Sequence, residues 1–300
     1  MSPAGDDPRP AAAGLPVRSI EIVASLAAHR SLSTAQVRVV HMPEAGLRRT
    51  QQVMGRIAAA GLAGAADSTG SPQRLWFATG AGARAAVASG ALPRAPRLFE
   101  EREVVGPLKA HTAAVNEAAI SFLVAARRRG EDFGPLAWRH EVAHPLREEA
   151  RGRRARAVIA DAVLTYLRLA GRKVRIEQRF LELDRATLPV DAMATELARY
   201  GELFRATGKD GSPIWRSRYP TFPAVLCVLA GARREVLTRR RDIALALMRS
   251  EPQLTLTPEV EIRICLLEDV VAEGPYAPIF RSLRDPGRAL DWLGHEEEEA

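Results

Sequence analysis

Residues 222–229, Phe-Pro-Ala-Val-Leu-Cys-Val-Leu, are an unbroken apolar run too short for a helix of average length. A strand this apolar on both sides of its pleat must be covered on both faces. That single run calls for a sheet with helices on each side. The segments around it supply the rest. Residues 112–129 place Val115, Ala119, Phe122 and Ala126 at helical spacing and end in three arginines, which complement a helix dipole. Strand-like stretches follow at 137–143, 157–166 and 173–184, then a helix over 189–206, the apolar strand, and a helix over 233–250. Helix, three strands, helix, strand, helix is the order of an α/β sandwich around a mixed sheet. Residues 258–273 (PEVEIRICLLEDVVAE) read as an amphipathic helix that covers this core or a partner copy.

The front of the chain has a different pattern. Val17, Ile20, Val23 or Ala24, and Ala27 form one apolar helical stripe. Ser33 and Thr34 then offer hydroxyl caps to a short second helix, and Met42–Gly46 reads as a turn. A third helix is expected over 47–60, closed by Gly61, with Leu47, Val53 or Met54, and Ile57 facing inward. Its other faces carry Arg48, Arg49, Gln51, Gln52 and Arg56. Arginine and glutamine make paired hydrogen bonds to base edges, and arginine also neutralises phosphate. Two short strands around a Gly/Ser/Pro turn follow, with Arg74 near the tip, and then a helix capped by Thr79. Three helices and a hairpin are the order of a winged helix-turn-helix, whose third helix enters the major groove. The same domain type also docks on proteins, so a partner module is the alternative for this basic helix.

These patterns divide the 300 residues into a tail (1–14), a winged-helix domain (15–90), a Pro-containing linker (91–110), an α/β domain (111–294) and an acidic tail (295–300). Charge follows the division. Residues 1–180 carry a net +11 and residues 181–300 a net −4, which suits a polyanionic partner at the front. Forty arginines against three lysines is also what a GC-rich coding bias produces. No apolar stretch is long enough to span a bilayer, and the Pro- and Asp-bearing start has no signal-peptide core. Cys227 and Cys265 lie in apolar runs without metal-ligand spacing, so a reducing cytoplasm is expected. His140 and His144 are four apart, but on a strand-like stretch that separates them too far for a common metal, and the six histidines read mostly as surface or capping residues.

Three acids stand out in the α/β part. Asp161 interrupts an apolar strand (VIADAVL), and Glu182 and Asp184 share one face at the end of the next (RFLELD). Carboxylates in such positions need a compensating partner. A hard cation, Mg²⁺ or Mn²⁺, is one, with Glu117 or Glu141 as a further ligand. Pairing with Arg153, Arg154, Arg179 or Arg185 is the other. The arginine-rich stretch 147–156, which includes Arg153 and Arg154, offers phosphate contacts beside the acids.

Seven further stretches carry a family resemblance. They are Leu32-Ser33-Thr34-Ala35-Gln36-Val37, Trp76-Phe77-Ala78-Thr79-Gly80-Ala81-Gly82, His111-Thr112-Ala113-Ala114-Val115-Asn116-Glu117, Trp138-Arg139-His140-Glu141, Ile159-Ala160-Asp161, Phe180-Leu181-Glu182-Leu183-Asp184-Arg185-Ala186-Thr187 and Leu197-Ala198-Arg199-Tyr200. In this order and spacing, over about residues 17–250, the chain resembles the replication-relaxation family of bacterial plasmid and mobile-element proteins. The resemblance implies a winged helix joined to a restriction-endonuclease-like core similar to the PD-(D/E)xK nucleases, with duplex DNA as partner. In that pattern Asp161 and Glu182 match the two metal-holding acids, while Asp184 stands where the lysine belongs and Ala160 where proline is favoured. Glu196 occupies the place of a displaced lysine, and Arg199 cannot readily give up a proton. Two functions follow as expectations: a DNA-binding protein controlling a mobile element, acting as a homodimer in one version, or a metal-dependent nuclease or nickase using Asp161, Glu182 and Asp184. A transcriptional regulator or an adaptor without catalysis is the remaining alternative.

Overall fold

The computed structural model describes residues 16–67, 74–147, 156–171 and 173–296. The expected tails at 1–14 and beyond 296, and Arg153 and Arg154, lie outside the described residues. The protein is a mixed α/β chain that divides into two compact units, Met1–Asn116 and Glu117–Ala300. Among the described residues no helix is long and apolar enough to cross a membrane.

The first unit begins with helices α1 (Val17–Ala28), α2 (Thr34–His41) and α3 (Leu47–Ala59), followed by the antiparallel strands β2 (Ala63–Asp67) and β3 (Arg74–Ala78) and by helix α4 (Gly80–Ala88). A two-residue strand β1 (Leu32–Ser33) pairs with the other side of β3, giving the order β1-β3-β2. Local chemistry sets the boundaries. Ser33 closes a capping box with Gln36: its hydroxyl accepts from the Gln36 N–H at 3.2 Å, and its own N–H donates to Gln36 Oε1 at 3.0 Å. Thr79 caps α4 by accepting from Gly82 N–H at 3.0 Å. Trp76 donates its indole N–H to the Thr34 hydroxyl at 2.9 Å, tying β3 to the start of α2. Gly82 packs so closely that a Cβ there would lie 2.0 Å from the Leu62 carbonyl oxygen, so α4 meets this chain only through a glycine.

Two expectations for this unit need correction. Leu47 is half exposed, and α3 instead turns Thr50, Met54 and Ile57 inward. The first turn of α3 starts one step before the buried stripe, so its leading leucine overhangs the core. Residues 91–110 carry the short helix α5 (Glu101–Val104), and Leu92 and Val104 are buried in the clusters of the first unit. Helix α6 (Lys109–Arg129) runs across the boundary between the units. At its start, Gln36 donates to the Ala113 carbonyl, and the buried Asn116 amide donates to the carbonyls of His29 and Ser31.

The second unit is built on a seven-stranded mixed sheet. Its strands are β4 (Trp138–Pro145), β5 (Ala157–Ala170), β6 (Lys173–Asp184), β7 (Ala224–Leu229), β8 (Ile262–Leu266), β9 (Phe280–Ser282) and β10 (Ala289–Leu290), in the order β10-β9-β8-β7-β6-β5-β4. Only β6–β7 and β7–β8 are parallel. Parallel neighbours require crossovers, and these are helices α7 (Val190–Arg205) and α8 (Arg234–Met248). Met193, Leu197 and Tyr200 from α7 and Leu237, Ala244 and Met248 from α8 pack with Phe180, Cys227, Leu229 and Ile264 on one face of the sheet. On the other face Tyr166 meets Trp292 and Phe133, and Phe122 of α6 packs edge-on to Trp292. Covering on both sides is what the apolar run of β7 demands; Phe222 and Pro223 precede the strand itself.

The expected helix over 258–273 is instead the strand β8, followed by the six-residue helix α9 (Leu267–Ala272). Every residue of β8 is buried, including Arg263, whose charge is met by Glu261 and by the carbonyls of Trp292 and Leu293. Spacing alone mistook a strand buried on both faces for half a helix, because a polar residue in mid-strand imitates a helical period.

The histidine expectation fails at His144, which is buried, whereas His29, buried too, is the C-cap residue of α1. His144 on β4 shares a 2.7 Å hydrogen bond with the Tyr219 hydroxyl and packs edge-on against Phe180. Burial first, and then the charges of Arg218 and Arg139, lower its pKa from 6.5 to about 4. The unfolded chain therefore takes up a proton near pH 6.5 that the folded protein refuses until about pH 4. Stability should fall by about 3 kcal/mol as the pH drops through that window. Thermal melts from pH 8 to pH 4 are expected to show a shallower acid decline for His144→Phe than for the natural chain, despite the loss of about 1 kcal/mol from the Tyr219 bond.

Candidate functional site

The carboxylates of the second unit meet where two strands separate. β5 and β6 pair continuously from Ala170↔Lys173 to Ala162↔Leu181, and the ladder stops there. β5 remains paired with β4 as far as Pro145↔Ala157, and β6 remains paired with β7 as far as Asp184↔Leu229. Asp161 is the first residue of β5 beyond the break. Its Oδ2 accepts from the Leu183 N–H at 2.8 Å, so a side chain takes over from a strand carbonyl. Arg199 of α7 braces the parted strand, donating to the Ala157 carbonyl at 2.6 Å and pairing with Glu196 at 2.9 Å.

Glu182 stands beside Asp161, and its Oε1 accepts from the Tyr200 hydroxyl at 2.5 Å. Burial pushes the Glu182 carboxyl well above the usual carboxylate range. The Asp161 charge adds to the shift, the Tyr200 hydrogen bond opposes it, and Glu196 contributes less. The protonated form of Glu182 is thereby favoured beside Asp161.

Asp184, two residues on, does not join this pair. A fork from Arg240 of α8 holds it, Nε to Oδ2 at 2.5 Å and Nη2 to Oδ1 at 3.1 Å, with both side chains largely buried. Glu117 on α6 and Glu141 on β4 are exposed, and Glu141 falls between the His140↔Ala162 and Val142↔Ala160 pairs of β4 and β5. Among the described residues no group of three or more His, Cys, Asp or Glu side chains can hold a metal ion. The three-acid set does not fit a metal; Asp161 and Glu182 alone fit the two carboxylates that a Mg²⁺ or Mn²⁺ ion needs from a protein. Of the proposed pairings, Arg179 is committed to Glu177 on the opposite face of the sheet.

Tyr200 and Arg240 are the members of this site that spacing should have found. Tyr200 falls on the stripe 193, 197, 200 and Arg240 on the stripe 237, 240, 244, 248, which are the buried faces of their helices. A polar residue on an apolar helical stripe must find a partner in the core.

In the first unit, Arg48, Arg49, Gln51, Gln52 and Arg56 are all exposed on α3. None of the five side chains has a hydrogen bond or ion pair among the described residues. The inward side of α3 is occupied by Thr50, Met54 and Ile57, and the polar side chains lie on its exposed faces. Arg74 differs. It stands opposite Asp67 in the β2–β3 register and pairs with it at 3.1 Å, in a largely exposed ion pair. The connection between these strands, residues 68–73, lies outside the described residues.

The chain matches the replication-relaxation family over residues 23–213, more than half its length. No curated protein and no solved structure matches it.

The Asp184–Arg240 fork should be a stability element. Arg240→Ala leaves Asp184 with an unpaired charge, and urea unfolding is expected to report a loss of roughly 3 kcal/mol. Asp184→Asn combined with Arg240→Ala should recover part of that loss, because no unpaired charge remains.

Proposed function

Because the chain belongs to the replication-relaxation family, we propose that it binds duplex DNA and acts in the replication or relaxation of plasmid or mobile-element DNA, or in its control. Family membership points to that process. The contact we assign to α3 rests on one observation: five arginines and glutamines cover its outward surface without internal partners, above a buried stripe of Thr50, Met54 and Ile57. A winged helix-turn-helix is the reading of this unit supported by its element order, in which α2, a turn and α3 precede an antiparallel pair of strands. In that reading α3 lies in the major groove, with Arg48 and Arg49 at its leading turn, and the β2–β3 hairpin is the wing. Gln51, Gln52 and Arg56 extend the same surface along the groove. Arg74 pairs with Asp67 at the end of the two strands next to their connection. We assign the protein to the cytoplasm; Cys227 and Cys265, free and buried, need no oxidising compartment.

Fluorescence anisotropy with a labelled duplex of about 30 base pairs tests the assignment. Arg48→Ala with Arg49→Ala should weaken binding at least tenfold at moderate salt and lower the slope of log affinity against log salt by about two, one unit for each phosphate left without its arginine. Unchanged affinity and slope would remove α3 from the interface.

A second reading, a nuclease or nickase with a core of PD-(D/E)xK type, is favoured by the pairing of Asp161 and Glu182 where β5 leaves β6. A bound Mg²⁺ or Mn²⁺ would supply Lewis-acid polarisation of a phosphate oxygen. Tyr200 would orient Glu182, and Arg240 keeps Asp184 neutralised at the place where the nuclease pattern puts lysine. The binding reading expects supercoiled plasmid, incubated with either cation, to be retained intact. Open circles produced by the natural chain and not by Asp161→Ala/Glu182→Ala would replace it with the second reading.

A further inference from the structure

The far end of the β5–β6 hairpin projects beyond its neighbours in the sheet. β7 pairs with β6 only from Arg179 onward, so the outer edge of β6 over 173–178 has no strand partner among the described residues. The register sets Leu167 opposite Ile176 and Leu169 opposite Val174, which places these four on one face. Leu169, Val174 and Ile176 are 59%, 64% and 59% exposed. Arg168, Arg175 and Lys173 lie on the other face. Between residues 167 and 176 the sequence holds four basic residues and no acidic one. Arg168 is paired with Glu177, while Lys173 and Arg175 are exposed and have no ion pair among the described residues.

An open strand edge beside an exposed apolar face is a surface that folded proteins ordinarily cover or blunt. Here the side chains at that edge select the occupant. A second copy joining along β6 in antiparallel register about Val174, at the tip of the open edge, would bring Lys173 of one chain against Arg175 of the other, which like-charge repulsion opposes. A polyanion has no such conflict. We propose that the β5–β6 hairpin is a second duplex-DNA contact, a two-stranded ribbon that enters a groove of the DNA. The inference rests on the reading of the protein as a DNA binder, and it adds a surface in the second unit, separate from α3.

The chemistry of each part fits that role. The major groove is wide enough for a two-stranded ribbon. Leu169, Val174 and Ile176 form the apolar face that meets thymine methyl groups and sugar edges at the groove floor. Lys173 and Arg175 reach the phosphates along the groove walls on their flexible stems. The outward backbone N–H groups of β6, with no strand beside them, are further phosphate donors.

Three full-length variants and the natural chain, compared by anisotropy over a range of salt and by sedimentation velocity, test this. Lys173→Ala with Arg175→Ala should weaken duplex binding about tenfold and lower the salt slope by about two. Leu169→Ser, Val174→Thr and Ile176→Thr together should weaken binding severalfold with the slope unchanged, since apolar contacts release no counterions. Both should melt like the natural chain, because these side chains are exposed. If the Lys173/Arg175 variant binds with the natural affinity and slope while Arg48→Ala/Arg49→Ala does not, the hairpin contact is wrong and the assignment of α3 stands. If the natural chain binds no duplex at all, both fall. If the apolar triple variant converts a dimer into monomers with duplex affinity unchanged, the face joins two copies of the chain and the hairpin proposal is overturned.

Discussion

The second unit turns on one hydrogen bond, from the Leu183 N–H to the Asp161 carboxylate. A strand that leaves its neighbour exposes backbone donors, and a buried donor without an acceptor costs about as much as a lost hydrogen bond. Asp161 removes that cost at the point of separation, so β5 can follow β4 while β6 follows β7. The charge it brings is what raises the Glu182 pKa further once burial has acted, and Tyr200 from α7 completes the group. A cluster of titratable groups therefore exists here for a structural reason before any ligand is considered. Whether or not chemistry follows, the same three side chains define the parting of the sheet.

Charges in the interior of the sheet are handled in the same manner, each by a specific partner on a different element. Arg240 crosses from α8 to Asp184. Arg263, 2% exposed in β8, binds the carbonyls of Trp292 and Leu293 and thereby fastens the segment that follows β10. Glu131 accepts from both Tyr166 and Tyr276 at 2.7 Å. Removing one partner from any of these leaves a buried charge or dipole, which costs more than the intact pair contributes. The exposed basic surfaces contrast with this. The arginines of α3 and Lys173 and Arg175 of the β5–β6 hairpin have no ion pair among the described residues, and that difference separates charge used for folding from charge left for a polyanion.

Much of this was legible in the order of residues. Ser33 announced a hydroxyl cap, Thr79 announced its helix, and the apolar run 222–229 required a sheet covered twice. The alternation Glu182-Leu183-Asp184 correctly put both acids on one face, although not their different fates. β8 was misread because a strand buried on both sides has no alternation, and Arg263 in its middle suggested the polar face of a helix. Leu47 was misplaced because amphipathic spacing does not say where along a helix the core begins. His144 was misread as a surface residue because nothing local marks a histidine whose partner, Tyr219, lies 75 residues away.

Spacing along the chain determined the elements, their caps, the polar face of α3 and the membership of a known family, since these depend on neighbours within a few residues or on a motif order that survives unfolding. The tertiary structure alone decided which acid pairs with which group. Asp161 accepts from Leu183, Glu182 accepts from Tyr200, and Asp184 pairs with Arg240, across separations of 18 to 56 residues. Contacts of that range depend on strand register and helix rotation, which are settled by the packing of the whole sheet and leave no periodic trace in the segments that make them.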